Sequence, residues 1–191
     1  MTDIDLPGFA DPVADAQAAF RALLSAMAVP GSIHAVGAGL VAPAPLAPAT
    51  AAVVLSMVDG EAPLALDAAS DAARAWIAFH CGATFTALAQ ARFILAQSCP
   101  DLSTLHAGSD DGPDESATVI LQVGALGSGT AYRLSGPGLR EPTVLRVTGL
   151  PGDFAARWAA NHGLYPRGVD VVLCAGTQLA ALPRSVKVEN A

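Results

Sequence analysis

The chain has 191 residues, 52% of them hydrophobic and 14% charged, with a formal net charge of -7. A chain of this length buries roughly 70% of the surface it exposes when unfolded, so a single domain, 1–191, with its own core is expected. The acidic balance offers no basic face to displace counterions from phosphates, which excludes nucleic acid as a partner class; so apolar a composition predicts either that part of the surface is buried against another subunit or that alanine raises the apolar count without adding much hydrophobicity.

The opening MTDIDLPGFADP is acidic and lacks the basic and apolar regions of a secretory signal, so a cytoplasmic protein is expected. Asp11 then caps a helix with Pro12 at its first position, and Val13, Ala16, Phe20, Leu23 and Met27 recur at helical spacing until Pro30-Gly31 ends it. SIHAV reads as a short strand. The uncharged stretch from Ala35 to Val58 has the length of a membrane span, but Pro43, Pro45 and Pro48 interrupt it. It predicts a proline-rich loop and a helix over ATAAVVLSMVDG closed by Gly60, with no membrane partner.

APLALD alternates as a strand does, and SDAARAWIAFHCG predicts a capped helix with Ala73, Trp76, Ile77 and His80 toward one side, ending at Gly82. ARFILAQ is an apolar strand. DLSTLHAGSDDGPDE reads as a short helix followed by an acidic loop. SATVILQVGALGSGTAYRLSGPG predicts two strands joined by a glycine-rich turn, and TVLRV another strand. PGDFAARWAANHG is a helix carrying Phe154 and Trp158; VDVVLCAGTQLAALP reads as a hairpin and SVKV as an edge strand. The alternation of helices and strands, with at least two antiparallel hairpins, predicts an α/β fold: a mixed sheet covered by helices on both faces.

GALGSGT spaces Gly124 and Gly129 as a phosphate loop does, yet it lacks the lysine and a strand follows, so a hairpin turn is expected. SGPG, Ser135 to Gly138, has two glycines around a proline; it is either a plain tight turn or a set of exposed backbone N–H groups able to hold an anion. No hydrolase elbow and no cluster of His or Cys at ligand spacing occurs, so no metal site is predicted. Cys81, Cys99 and Cys174 are read as buried small hydrophobes in a reducing compartment. His80 and His162 stand near helix ends, where a histidine complements the macrodipole.

YPRGVD sets Arg167 and Asp170 at the mouth of an apolar strand, and LPRS repeats the Pro-Arg step at Arg184. Two readings follow: an Arg-to-Asp pair bracing a turn, or a ligand-binding loop at a strand end.

Together the blocks DAQAAFRALLSAMAVPG, Phe79-His80, ATVILQV, LSGPG, YPRGVDVVLCAG and LPRSVKV, in this order and spanning about Asp15 to Val188, resemble the PhnH family, the H subunit of the bacterial carbon-phosphorus lyase system. The resemblance implies a three-layer α/β/α sandwich similar to that of pyridoxal-phosphate-dependent transferases, and a homodimer. It also implies membership, with the G, I and J subunits, of a core complex for alkylphosphonate use. In that complex G, H and I support displacement of adenine from ATP by a phosphonate, giving a ribose 1-phosphonate 5-triphosphate, before J breaks the carbon-phosphorus bond. Carried onto this chain, the blocks mark Phe20, Arg21, Leu24, Met27, Pro30 and Gly31 as structural. Gly136, Gly138, Arg167, Gly168, Asp170, Pro183, Arg184 and His80 become the candidate ligand-binding surface, with no catalytic residue assigned. Tyr165 and Ser185 depart mildly from the family pattern, which has phenylalanine and threonine there.

The shared fold does not carry shared chemistry. Pyridoxal-phosphate catalysis needs a Schiff-base lysine, and the chain's one lysine, Lys187, falls in a terminal strand, so no cofactor is expected. The alternative to a complex subunit is a stand-alone protein that binds an anionic nucleotide or phosphonate through Arg167, Arg184 and the SGPG backbone.

Overall fold

A computed structural model describes residues 6–67 and 70–191. Helix α1 (Pro12–Ala28) starts as the sequence demands: the Asp11 carboxylate accepts from the N–H groups of Val13 and Ala14 at 3.2 and 3.0 Å, and Pro12 fills the first position. Its buried face differs from the expected stripe. Ala19, Leu23 and Ala26 face the core, whereas Val13, Phe20 and Leu24 are exposed. The alanines let α1 lie close on α2 and β8, so the helix turns its smallest residues inward and leaves its larger ones outside.

Strand β1 is short (His34–Ala35), and α2 (Pro48–Met57) follows the proline-rich loop. Helix α2 stops short of Gly60, because the Asp59 carboxylate accepts from the N–H groups of Glu61 and Ala62 and turns the chain there. Ala49 to Val54 are all buried, so its continuous apolarity serves the core; among the described residues no helix is long and apolar enough to cross a membrane. Strand β2 (Leu64–Leu66), α3 (Asp71–Cys81), β3 (Phe93–Ala96), β4 (Thr118–Gln122), β5 (Ala125–Ser135), β6 (Thr143–Thr148), α4 (Phe154–His162), β7 (Asp170–Ala175), β8 (Gln178–Leu182) and β9 (Lys187–Asn190) complete the order. Helix α3 is capped by Ser70 and ends at Gly82 in the left-handed region, as expected.

Six strands form a mixed sheet in the order β1-β8-β7-β4-β3-β2; β2, β3, β4 and β7 run parallel, and β7-β8 and β8-β1 are antiparallel. The hairpin expected over 170–182 is present. The one expected over 118–135 is not. Strand β4 is buried on both faces and takes a central place between β3 and β7, while β5 leaves for a second, three-stranded sheet ordered β6-β5-β9. GALGSGT is therefore no hairpin turn: from Ala125 on it lies within β5, where the pairing to β6 slips between Leu126 and Thr130 as a bulge. The edge strand expected over SVKV begins two residues later, at Lys187, because Val186 N–H closes a turn onto the Pro183 carbonyl; it runs to Asn190 and pairs with β5.

The layers also differ from a helix-covered sheet on both sides. Helices α1, α2 and α3 cover one face, with Trp76 and Ile77 fully buried against Leu95, Ile120 and Val172. The other face is covered by the small sheet together with α4, through Tyr132, Leu134, Leu145, Val147, Phe154 and Trp158. Burying each large apolar side chain contributes about 1.5–3 kcal/mol, and Trp158 adds a hydrogen bond from Nε1 to the Val186 carbonyl at 2.8 Å that fixes the 183–188 segment on α4.

Candidate functional site

Register sets the site. Phe93, Thr118 and Asp170 lie side by side at the amino ends of β3, β4 and β7, and β8 runs back so that Pro183 and Arg184 emerge beside Asp170. Asp170 is 7% exposed, and its carboxylate is held by Arg184 in a forked pair: Nη2 donates to Oδ2 at 2.8 Å, Nε to Oδ1 at 3.3 Å, and the backbone N–H of Arg184 to Oδ1 at 2.7 Å. The remaining arm, Nη1, donates to the Pro113 carbonyl. The Arg184 carbonyl is engaged too, at 2.9 Å from His162 Nδ1.

The YPRG segment is braced in the same way. The Asn161 side chain bonds Val169 at both ends, Nδ2 to its carbonyl at 2.9 Å and its N–H to Oδ1 at 2.8 Å. Gly168 sits in this brace with φ +114, and a Cβ there would stand 3.0 Å from the Asn161 carbonyl oxygen, so the close approach requires glycine. Its N–H donates to Ala107 at 2.8 Å, docking the acidic 107–115 loop, and Arg167 Nε pairs with Asp110 at 3.1 Å in an exposed ion pair.

SGPG joins the same neighbourhood from the small sheet. Gly136 packs near Ser185 and Val186, and Gly138, with φ +84, brings the chain so close to the end of α1 that a Cβ would overlap the Ala28 carbonyl oxygen. The end of α1, SGPG, YPRG and LPRS, blocks far apart in sequence, thus converge at one corner. Between the end of α1, YPRG and LPRS lies a shallow groove of about 360 Å³ whose lining includes Met27, Asp114, Tyr165, Pro166, Pro183 and Arg184 and no residue of SGPG.

His80 does not join this corner. Its Nε2 lies 3.2 Å from the Leu6 carbonyl oxygen, which also accepts from Trp76 Nε1 at 2.9 Å, and its ring packs between those of Trp76 and Phe79. It pins the N-terminal segment to α3. Phe20, Arg21 and Leu24, marked as structural by the resemblance, lie on the exposed side of α1 and outside its buried face of Ala19, Leu23 and Ala26.

One polar residue was missed in the sequence. Gln122, at the carboxyl end of β4, accepts from Ala47 N–H at 2.7 Å and Thr50 Oγ1 at 2.8 Å and donates to the Pro45 carbonyl at 2.8 Å. Open α/β sheets usually bind ligands at the carboxyl ends of their strands. Here Gln122 ties that end to the start of α2, which has no side-chain cap of its own, and the groove lies at the amino ends instead. A lone polar residue at the end of an apolar run was the only signal available.

The cysteines lie elsewhere, and of the three expected to be buried only Cys174 is; Cys81 and Cys99, at the end of α3 and in the loop after β3, are half-buried. Burial pushes the Cys81 thiol up to about 11, helped by the charge of Asp59; burial likewise raises Cys99 to about 11 and the fully buried Cys174 to about 12. All three are neutral thiols near neutral pH, not thiolate nucleophiles.

Sheet, flanking layers and groove define a mixed α/β protein whose Arg167 and Arg184 at this corner are each engaged by a carboxylate of the same chain. The chain belongs to the PhnH family of bacterial phosphonate metabolism proteins, whose model matches residues 7–189. It is 38% identical over 188 residues, 95% of this chain and 94% of the relative, to the protein named alpha-D-ribose 1-methylphosphonate 5-triphosphate synthase subunit PhnH of Rhizobium meliloti (strain 1021). It is also 34% identical over 179 residues, 90% of this chain and 85% of the relative, to HtxG of Stutzerimonas stutzeri, described as a C-P lyase subunit protein.

Proposed function

We propose that this chain is a non-autonomous, cytoplasmic subunit of the carbon-phosphorus lyase complex that supports formation of a ribose 1-phosphonate 5-triphosphate from ATP and an alkylphosphonate, with G, I and J subunits as its partners. The observation that carries the reading is the 38% identity, over nearly the full length of both chains, to a protein named as a synthase subunit. The site's geometry supports it: both arginines of the candidate surface are engaged by carboxylates of the same chain, an arrangement suited to shaping a corner more than to gripping a free anion. Deleting the gene abolishes growth on methylphosphonate and leaves growth on phosphate intact; normal growth on both removes the proposal.

The same reading includes a homodimer, and α1 offers the surface for it. Val13, Phe20 and Leu24 are 68%, 42% and 51% exposed and fall within a narrow sector of the helix beside its buried alanines. A two-fold contact brings identical patches together, and an uncharged stripe is self-complementary in a chain of net charge -7. The likeness to pyridoxal-phosphate transferases is proposed as one of fold without the cofactor: Lys187 is exposed on β9, where its Nζ pairs with Glu189 at 2.8 Å.

A further inference from the structure

We propose that the groove between YPRG, LPRS and the end of α1 is a docking pocket for an arginine-bearing segment of another protein subunit. The inference rests on the reading of this chain as a complex subunit and adds the place and chemistry of one contact. Arg184 in the lining and Arg167 nearby favour an anion at first sight, and the local charges oppose that. Arg184 is cancelled by Asp170 and Arg167 by Asp110. Arg92 approaches from β3, its Nη2 3.2 Å from the Asp114 carbonyl oxygen. Against these three guanidinium groups stand five carboxylates, Asp110, Asp111, Asp114, Glu115 and Asp170, an excess of two negative charges. Asp111, Asp114 and Glu115 are exposed and without an ion pair among the described residues, and Asp114 lines the groove itself.

Besides Asp114, Ser185 and the mutually paired Asp170 and Arg184, the lining is apolar. Met27, Pro166 and Pro183 give a surface for a methylene stem, and Tyr165, 61% exposed, presents a ring at the edge. An arginine fits both halves, its stem on the prolines and methionine, its guanidinium against the Tyr165 ring and the Asp114 carboxylate. The occupant is not a second copy of this chain in a two-fold contact, because that would press two acid-rich corners together. It is a different surface of opposite charge, next to the exposed stripe of α1 that Met27 borders.

The test is co-purification of tagged chain with co-expressed G, I and J subunits. Asp114→Lys and Tyr165→Ala are compared with wild type and with Glu61→Lys, an exposed acid preceding β2 at the far edge of the sheet. Unchanged thermal melting shows that each variant is folded. The proposal expects Asp114→Lys to lower the recovered partners roughly tenfold or more, Tyr165→Ala to lower them severalfold, and Glu61→Lys to leave them unchanged, with wild-type recovery falling as salt rises. Full recovery by both groove variants overturns the docking site and leaves the subunit reading standing; no recovery by wild type overturns both. Dissociation of a homodimer by Asp114→Lys gives the groove to a second copy and overturns the proposal. So does saturable ATP binding by the free chain that Arg167→Ala abolishes.

Discussion

Asp170→Ala probes the reasoning about the corner most severely. It removes the partner of a guanidinium that is itself 17% exposed, and with it three contacts at 2.7, 2.8 and 3.3 Å. Breaking a buried pair by deleting one member costs about 3–5 kcal/mol, because the remaining charge is left desolvated without compensation. In a domain of 150–250 residues each kcal/mol lowers Tm by about 2–4 °C, so the expected fall is about 6–20 °C. Urea unfolding followed by tryptophan fluorescence and by circular dichroism measures the difference, with Trp158 reporting from the 183–188 segment that Arg184 anchors. The double variant Asp170→Leu/Arg184→Met removes both charges and recovers at least about 1 kcal/mol of the loss, although the Pro113 carbonyl then lacks its donor. A change under about 1 kcal/mol in Asp170→Ala would refute the argument, since it would mean that water solvates Arg184 as well as Asp170 does.

Other consequences are independent of that pair. Phe20→Asp/Leu24→Asp yields a folded monomer in analytical ultracentrifugation where the wild type sediments as a dimer; a dimer in both would move the interface off α1. Gly138→Ala forces an L side chain into φ +84 against the end of α1 and lowers stability by about 1–3 kcal/mol in urea titration, whereas a neutral effect would mean that the turn relaxes freely. Because burial raises the Cys174 thiol from 9.0 to about 12, the unfolded chain loses that proton first as pH rises. Stability is thus unaffected below pH 8 and falls above pH 9 by about 1.4 kcal/mol per pH unit from this group, a slope that Cys174→Ala removes from the pH dependence of unfolding.

Helix α3 was legible from Ser70 to Gly82 because its cap, apolar spacing and terminal glycine all act within one helix. The hairpin β7-β8 was legible for the same reason. What escaped depended on partners distant in sequence. Strand β4 carries the same apolar run whether it pairs with β5 or enters the middle of a parallel sheet, and only the competition of β3 and β7 for its two edges decides the outcome. The buried face of α1 was misjudged because Phe20 outweighs Ala19 in any reading by size, while close packing on α2 and β8 favours the alanine. The Arg-to-Asp pair expected within YPRGVD, Arg167 with Asp170, does not form: Asp170 is held by Arg184 and Arg167 by Asp110, an exchange that depends on β8 returning beside β7 and on the 107–115 loop folding onto the corner. His80 was grouped with them through the family blocks alone, and its contacts lie with Leu6, Trp76 and Phe79.

The central claim is that this polypeptide acts within a synthase assembly and not alone, and adenine release measures it most directly. Purified subunits are incubated with ATP and methylphosphonate, with this chain added, omitted or supplied by itself, and free adenine is followed by chromatography. The account predicts release that requires the chain together with its partners and none from the chain alone. Equal release without it, or turnover by the isolated chain at the rate of the full assembly, would contradict it.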